Sequence, residues 1–172
     1  KKGLEIQLEL DDRIQESKFL NGLSGAYNGM GDPDTAKDYQ LRAIRLKEEI
    51  GDDQLIATSY ASLGNTYNVA MDFSKSSEWY LSALGKFTYL KNDYQRMKVL
   101  ILLSRTFIEL GQTERAKKYA DEAFFISGNF DDPLFLGMIH VQLAKIKLIS
   151  EEYEESVAEF ERAIASCKIC FF

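Results

Sequence analysis

Apolar residues along this chain recur with the period of an α-helix: Tyr39, Ala43 and Leu46 share one face, as do Tyr119, Ala123 and Phe124. Followed from end to end, the pattern predicts helices in pairs at 14–29 and 33–50, 54–70 and 73–90, 94–110 and 113–128, and 134–149 and 152–169. Residues 1–12 read as the second helix of a further repeat whose first helix is absent, because Gly3 stands one repeat period before Ala43. On that reading, and with no initiator methionine, the chain is expected to be a piece of a longer protein. The punctuation agrees with the partition. Gly31-Asp32-Pro33 offers a left-handed stop, an N-cap side chain and a proline start in succession, and Gly111 repeats the stop. Pro33 and Pro133 both fall in first helical turns, where a missing N–H costs nothing. No Asn-Gly turn joins alternating apolar runs, so strands find little room.

The helix pairs are copies of one another. G-D-P-D-T-A at 31–36 returns as M-D-F-S-K-S at 71–76, G-Q-T-E-R-A at 111–116 and E-E-Y-E-E-S at 151–156, with the same step from each copy to the next. The motif closes on a small residue, Ala36, Ser76, Ala116 or Ser156, and seven positions on come Ala43, Ala83, Ala123 and Ala163. Small side chains at one helical face let two helices approach closely. Upstream, Leu23, Leu63, Leu103 and Leu143 each precede Ser24, Gly64, Ser104 or Ala144, and an aromatic follows at Tyr27, Tyr67 and Phe107; the fourth copy departs with Lys147.

This pattern, clearest in Y-A-S-L-G-N-T-Y at 60–67, resembles the tetratricopeptide repeat over nearly the whole chain, with a period longer than is usual for that family. The added length is expected in the helices and in an acidic corner at Asp11-Asp12, Gly51-Asp52-Asp53, Lys91-Asn92-Asp93 and Asp131-Asp132-Pro133. The resemblance implies an all-α fold: a right-handed α-α superhelix of four helix pairs plus a leading helix, forming one solenoid over residues 1–172 with repeats at 14–50, 54–90, 94–128 and 134–169. It also implies a protein or peptide interaction module, since arrays with this longer period occur in bacterial signalling proteins, peptide-pheromone receptors and animal polarity scaffolds. The leading expectation is the sensory or partner-binding part of a larger bacterial regulator. The alternatives are a homodimerisation module and a receptor for a short peptide or small anionic ligand.

Charge and chemistry narrow these choices. A net charge of −6 argues against nucleic acid or an anionic membrane as a partner, because either needs a basic surface. No run of 18 apolar residues exists to span a bilayer. The lone histidine, His140, occupies the large-residue position of Leu20, Tyr60 and Leu100 and reads as packed between helices; one histidine excludes a multi-histidine metal site. Cys167 and Cys170 have the spacing of a zinc half-site but lack a second pair, and two thiols suit a reducing compartment. The cytoplasm is therefore favoured, with the periplasm open because the parent N-terminus is not seen. Glu151, Glu152, Glu154 and Glu155 lack the glycine and Asp/Asn-rich loop of a calcium site and fit a helix N-terminus. No nucleophile stands with a positioned base and no phosphate loop is present, so neither catalysis, nor a cofactor, nor a metal site is expected.

In the family that the chain resembles, the first helix of each pair lines a concave groove. The residues that would face it include Lys18, Asn21 and Asn28, then Asn65 and Asn68, then Lys98 and Arg105, and last Lys145. Against these four cations stands only Glu109, a local positive face on an acidic body that favours an acidic or carboxylate-bearing protein segment. Asn65, directly after Leu63-Gly64, is where related arrays clamp a ligand backbone, and one planar amide offers both a donor and an acceptor. Gly22, Gly25 and Gly29 on one side of a helix suggest close approach by a ligand or by a preceding helix, since each costs about 1 kcal/mol of helix propensity relative to alanine. Ile164, Ile169, Cys170, Phe171 and Phe172 would form an apolar edge, expected to be covered by a continuation or by a dimer contact.

Overall fold

A computed structural model describes residues 2–169, with side chains at 11–167. Within these bounds every regular element is an α-helix, and the helices divide between two compact units that meet in sequence at Leu90 and Lys91.

The first unit holds α1 (Lys2–Gly29), α2 (Pro33–Ile50), α3 (Asp53–Val69) and α4 (Phe73–Tyr89). Helices α1 and α2 form one hairpin, α3 and α4 a second, and α2 packs on α3. The second unit repeats the plan with α5 (Asp93–Glu109), α6 (Thr113–Ser127), α7 (Pro133–Ile149) and α8 (Tyr153–Ile169), where α6 packs on α7. One expectation is corrected here. The corner expected at Asp11-Asp12, separating a leading helix from one starting at 14, does not form, and α1 runs unbroken from Lys2 to Gly29. Neither glycine nor proline interrupts the chain at that point, so its backbone bonds continue. The corners at 51–53, 91–93 and 131–133 are present.

Within each hairpin the small residues do what their size allows. Ala36, Ser76 and Ala116 are fully buried and Ser156 nearly so, as are Ala43, Ala83, Ala123 and Ala163, which brings the two backbones together. The repeat aromatics stack inside the hairpins: Tyr27 on Tyr39 with centroids 5.5 Å apart, and Phe107 on Tyr119 at 5.4 Å. Stacks of this kind add to simple burial.

Side-chain caps fix the helix starts. Asp32, Asp52, Asp72, Asn92 and Asp132 each accept the backbone N–H three residues on, at 3.0 to 3.4 Å. Hydrogen bonds from Thr35 hold the Asp32 carboxyl below the usual carboxylate range. The stops are as regular: Gly31, Met71, Gly111 and Glu151, one at the same place in each repeat, all take the left-handed conformation, with φ of 76°, 60°, 68° and 63°. A side chain in that region is disfavoured by roughly 1 kcal/mol or more. Met71→Gly and Glu151→Gly are therefore each expected to raise stability by about 0.5–1 kcal/mol, read as a higher urea midpoint with unchanged slope. Gly31→Ala would move it the other way.

Candidate functional site

The face singled out by the repeat register lies on the first helix of each hairpin, and each unit carries its own part. In the first unit α1 and α3 are neighbours. Asn28 Nδ2 donates to Thr66 Oγ1 across them at 2.8 Å, leaving its Oδ1 buried without an acceptor role. Asn21 Oδ1 accepts from Gln40 Nε2 of α2 at 3.2 Å. These two amides tie helices together. Asn68 is half-buried, whereas Asn65 on α3 and Lys18 on α1 are exposed. Gly22, Gly25 and Gly29 have open space where a side chain would be, so no neighbour among the described residues explains them.

In the second unit α5 and α7 lie side by side. Lys98 stands over the rings of Tyr94 and Phe135, 5.7 and 5.9 Å from their centroids, and so bridges the two helices through its charge. Arg105 is half-buried two turns further along α5, with its Nε removed from solvent and no hydrogen-bond partner. Lys145 holds the equivalent place on α7 and is also half-buried. Beside these cations lie the apolar side chains of Met138, Leu148 and Ile149, all exposed. The arrangement offers charge-assisted hydrogen bonding to a carboxylate together with apolar surface.

Three polar features escaped the sequence pattern. Lys47 on α2 is 1% exposed and donates to Ser59 Oγ on α3 at 2.5 Å. Burial pushes its ammonium down to about 8, against a weaker opposing pull from Asp52. The register gives the signal that was available: its counterparts are Phe87, Ser127 and Cys167, never a charge. His140 is packed between helices as expected, but it faces a buried acid: its Nδ1 is 2.7 Å from Glu159 Oε2, and Arg162 donates to Glu159 Oε1 at 2.5 Å. Lys147 completes the cluster at 3.8 Å. Finally, a cavity of about 100 Å³ is lined by Thr113, Lys117, Leu143, Lys147 and Glu152, well below the size that encloses a drug-like molecule.

Among the described residues no group of three or more His, Cys, Asp or Glu side chains is placed to hold a metal ion, and no helix is long and apolar enough to cross a membrane. Cys170, Phe171 and Phe172 lie outside the described residues, so the Cys167-x-x-Cys170 pair and most of the terminal apolar edge do too. Ile164 is exposed.

Residues 17–50 and 98–127, one hairpin in each unit, match the family model for the tetratricopeptide repeat. No curated protein matches the chain in sequence. Among solved structures it is similar to BtubC (BKLC) from P. vanneervenii, with a TM-score of 0.80 at 19% identity over 90% of this chain and 64% of that one. It is similar to a signal transduction ATPase with numerous domains that has a tetratricopeptide repeat sensor, from Pyrococcus horikoshii, with a TM-score of 0.75 at 23% identity over 95% of this chain. It is also similar to MamA, with a TM-score of 0.64 at 16% identity over 94% of this chain and 84% of that one. The chain thus spans less than two thirds of BtubC and 25% of the ATPase. These likenesses give the fold, an all-α helical-repeat superhelix; the family-model matches at 17–50 and 98–127 give the general role of an interaction or scaffold module, a class that is typically non-catalytic. The chain thus carries tetratricopeptide repeats at 17–50 and 98–127, and the other two hairpins are built on the same plan, which makes it a helical-hairpin repeat array that resembles this family throughout.

Proposed function

We propose that this array is the partner-binding part of a larger bacterial signalling or regulatory protein, without catalytic activity of its own, and that the α5/α7 face of its second unit binds an acidic, amphipathic protein segment. The observation that carries the reading is Arg105. A guanidinium held half-buried, with its Nε out of solvent and no acceptor, is matched by a ligand carboxylate, and Arg is the side chain best shaped for that bidentate pairing. Lys98 and Lys145 extend the positive strip, and Met138, Leu148 and Ile149 supply the apolar contact that one face of a ligand helix would cover. On the first unit, Asn65 is an exposed amide suited to an extended backbone. The likeness to a signalling ATPase whose repeats are its sensor supports the regulatory setting.

The reading is tested by selecting from a random peptide library with the chain as bait, then measuring the winners by titration. Peptides enriched in Asp or Glu beside apolar residues are expected, with affinity at least tenfold weaker for Arg105→Ala and a marked loss with added salt. Winners without acidic residues, or equal binding by Arg105→Ala, would overturn it.

A further inference from the structure

Two buried polar atoms of the second unit have no partner among the described residues, and they belong to the same helix pair. Gln142 on α7 is 6% exposed. Its Nε2 donates to the Met138 carbonyl of its own helix at 3.4 Å, and its Oε1 accepts from no described residue. Only the nitrogen end of an amide can donate to a carbonyl, so the oxygen is the end left over. Arg105 on α5 has the opposite lack, an Nε–H shut from solvent with no acceptor. A buried group that has given up water without gaining a hydrogen bond costs free energy, so a donor and an acceptor orphaned together call for an occupant.

Contacts nearer the start of the two helices show how these groups lie. Tyr94 meets Phe135 edge-on with centroids 5.5 Å apart, and Lys98 Nζ is 5.9 Å from the Phe135 centroid. As first helices of successive hairpins, α5 and α7 run in the same direction. A step of seven residues is about two turns and returns each helix to the same face. It carries Lys98 to Arg105 and Phe135 to Gln142, which sets the guanidinium and the amide side by side across the seam. In the first unit the equivalent positions are Gly25 and Ser62, and the serine hydroxyl donates to the Thr58 carbonyl. The paired orphans are thus particular to α5 and α7.

We propose, resting on the binding of an acidic segment at the α5/α7 face, that Gln142 is a second reader of that ligand: its Oε1 accepts a main-chain N–H while Arg105 takes the carboxylate. A ligand helix has free N–H groups only in its first turn, and acidic side chains are favoured at that same end. The ligand therefore seats its N-terminal turn on Arg105 and Gln142, which fixes its direction in the groove. Both protein groups can reach it. Of the Arg105 nitrogens only Nε is closed to solvent, and the Gln142 bond to Met138 is long enough to yield to a better partner.

The test takes the tightest acidic peptide selected on the wild-type chain and remakes it with each main-chain N–H in turn replaced by an ester oxygen, which removes one donor and keeps every side chain. One ester in the first turn is expected to bind the wild type about three- to tenfold more weakly, the range of one neutral hydrogen bond. Gln142→Met, which has a similar length and no acceptor oxygen, is expected to lose the same factor with the unaltered peptide, to be indifferent to that ester, and to melt no lower than wild type. Its salt dependence is expected to stay that of wild type, because Arg105 still holds the carboxylate. Esters further along weaken the ligand helix itself and act equally on both proteins. A scan in which no first-turn ester separates wild type from Gln142→Met overturns the proposal and leaves the acidic ligand of Arg105 standing. Binding that ignores Arg105→Ala, or a selection without acidic winners, overturns both.

Discussion

Replacing Lys47 with methionine is expected to stabilise the chain by about 2 kcal/mol near neutral pH, raising its thermal midpoint by roughly 4–8 °C. Lys47 is the most buried charge among the described residues, and its hydrogen bond goes to a hydroxyl, not to an acid. A fall from 10.5 to about 8 corresponds to about 3 kcal/mol of preference for the neutral amine in the folded state. Methionine keeps the length of the side chain and removes the charge. Part of the gain is offset by the lost bond to Ser59, whose hydroxyl is left buried. That loss is limited, because Thr58, Ser62 and Thr66 on the same helix all bond back to the carbonyl four residues earlier, a geometry open to Ser59 as well. The sign with pH follows from the direction of the shift. Between about 8 and 10.5 the unfolded chain holds a proton that the folded chain has released, so wild-type stability from this group rises through that window. Below pH 8 the full cost is present. The advantage of Lys47→Met is thus expected to be constant from pH 6 to 7.5 and to shrink towards pH 10.5, measured as the difference between two urea midpoints at each pH. A variant less stable than wild type at pH 7 would show that the Ser59 bond outweighs the buried charge.

The same residue marks where the sequence was legible and where it was not. Hairpins were readable because a close helix pair demands a small side chain at a fixed spacing, and Ala43, Ala83 and Ala123 obey that demand in full. His140 was readable because the register put it where leucine and tyrosine are packed. Glu159, its partner, was not, since a carboxylate in a helix of alternating charges looks like solvated surface. Lys47 misled for the same reason, although comparison with Phe87 would have exposed it. The Asp11-Asp12 corner failed because acidic residues permit a turn without enforcing one; Gly51 and the Asp52 cap supply what that stretch lacks. Met71 and Glu151 show the converse, a left-handed stop imposed by repeat geometry on residues that do not favour it. The groove asparagines divided on packing alone. Asn21 and Asn28 found partners on neighbouring helices, which no spacing rule distinguishes from Asn65.

Gly64→Ala is expected to destabilise the chain by about 2 kcal/mol, although alanine is the better helix former by about 1 kcal/mol. A Cβ built at Gly64 would lie 2.6 and 2.7 Å from Cδ1 and Cε1 of Tyr80, a ring with no exposed surface and therefore no free direction in which to move. The other three hairpins carry Ser24, Ser104 and Ala144 at this position, opposite Gln40, Ala120 and Phe160. The chain thus balances volume across the pair: the fully buried tyrosine is the one that faces glycine. This exchange predicts coupling between the two sites. Gly64→Ala is expected to cost much less in a Tyr80→Leu background, where the shorter side chain leaves room for the methyl, and a double-mutant cycle is expected to return about 1–2 kcal/mol of interaction energy. Gly25→Ala on α1 supplies the control, since nothing lies within 4 Å of its added methyl and only the helix-propensity gain remains. Equal effects of Gly25→Ala and Gly64→Ala would place the cause in helix propensity and remove the argument for close packing between α3 and α4. A large loss confined to Gly64, relieved by shortening Tyr80, would locate it in the approach of those two helices, the feature from which each repeat is built.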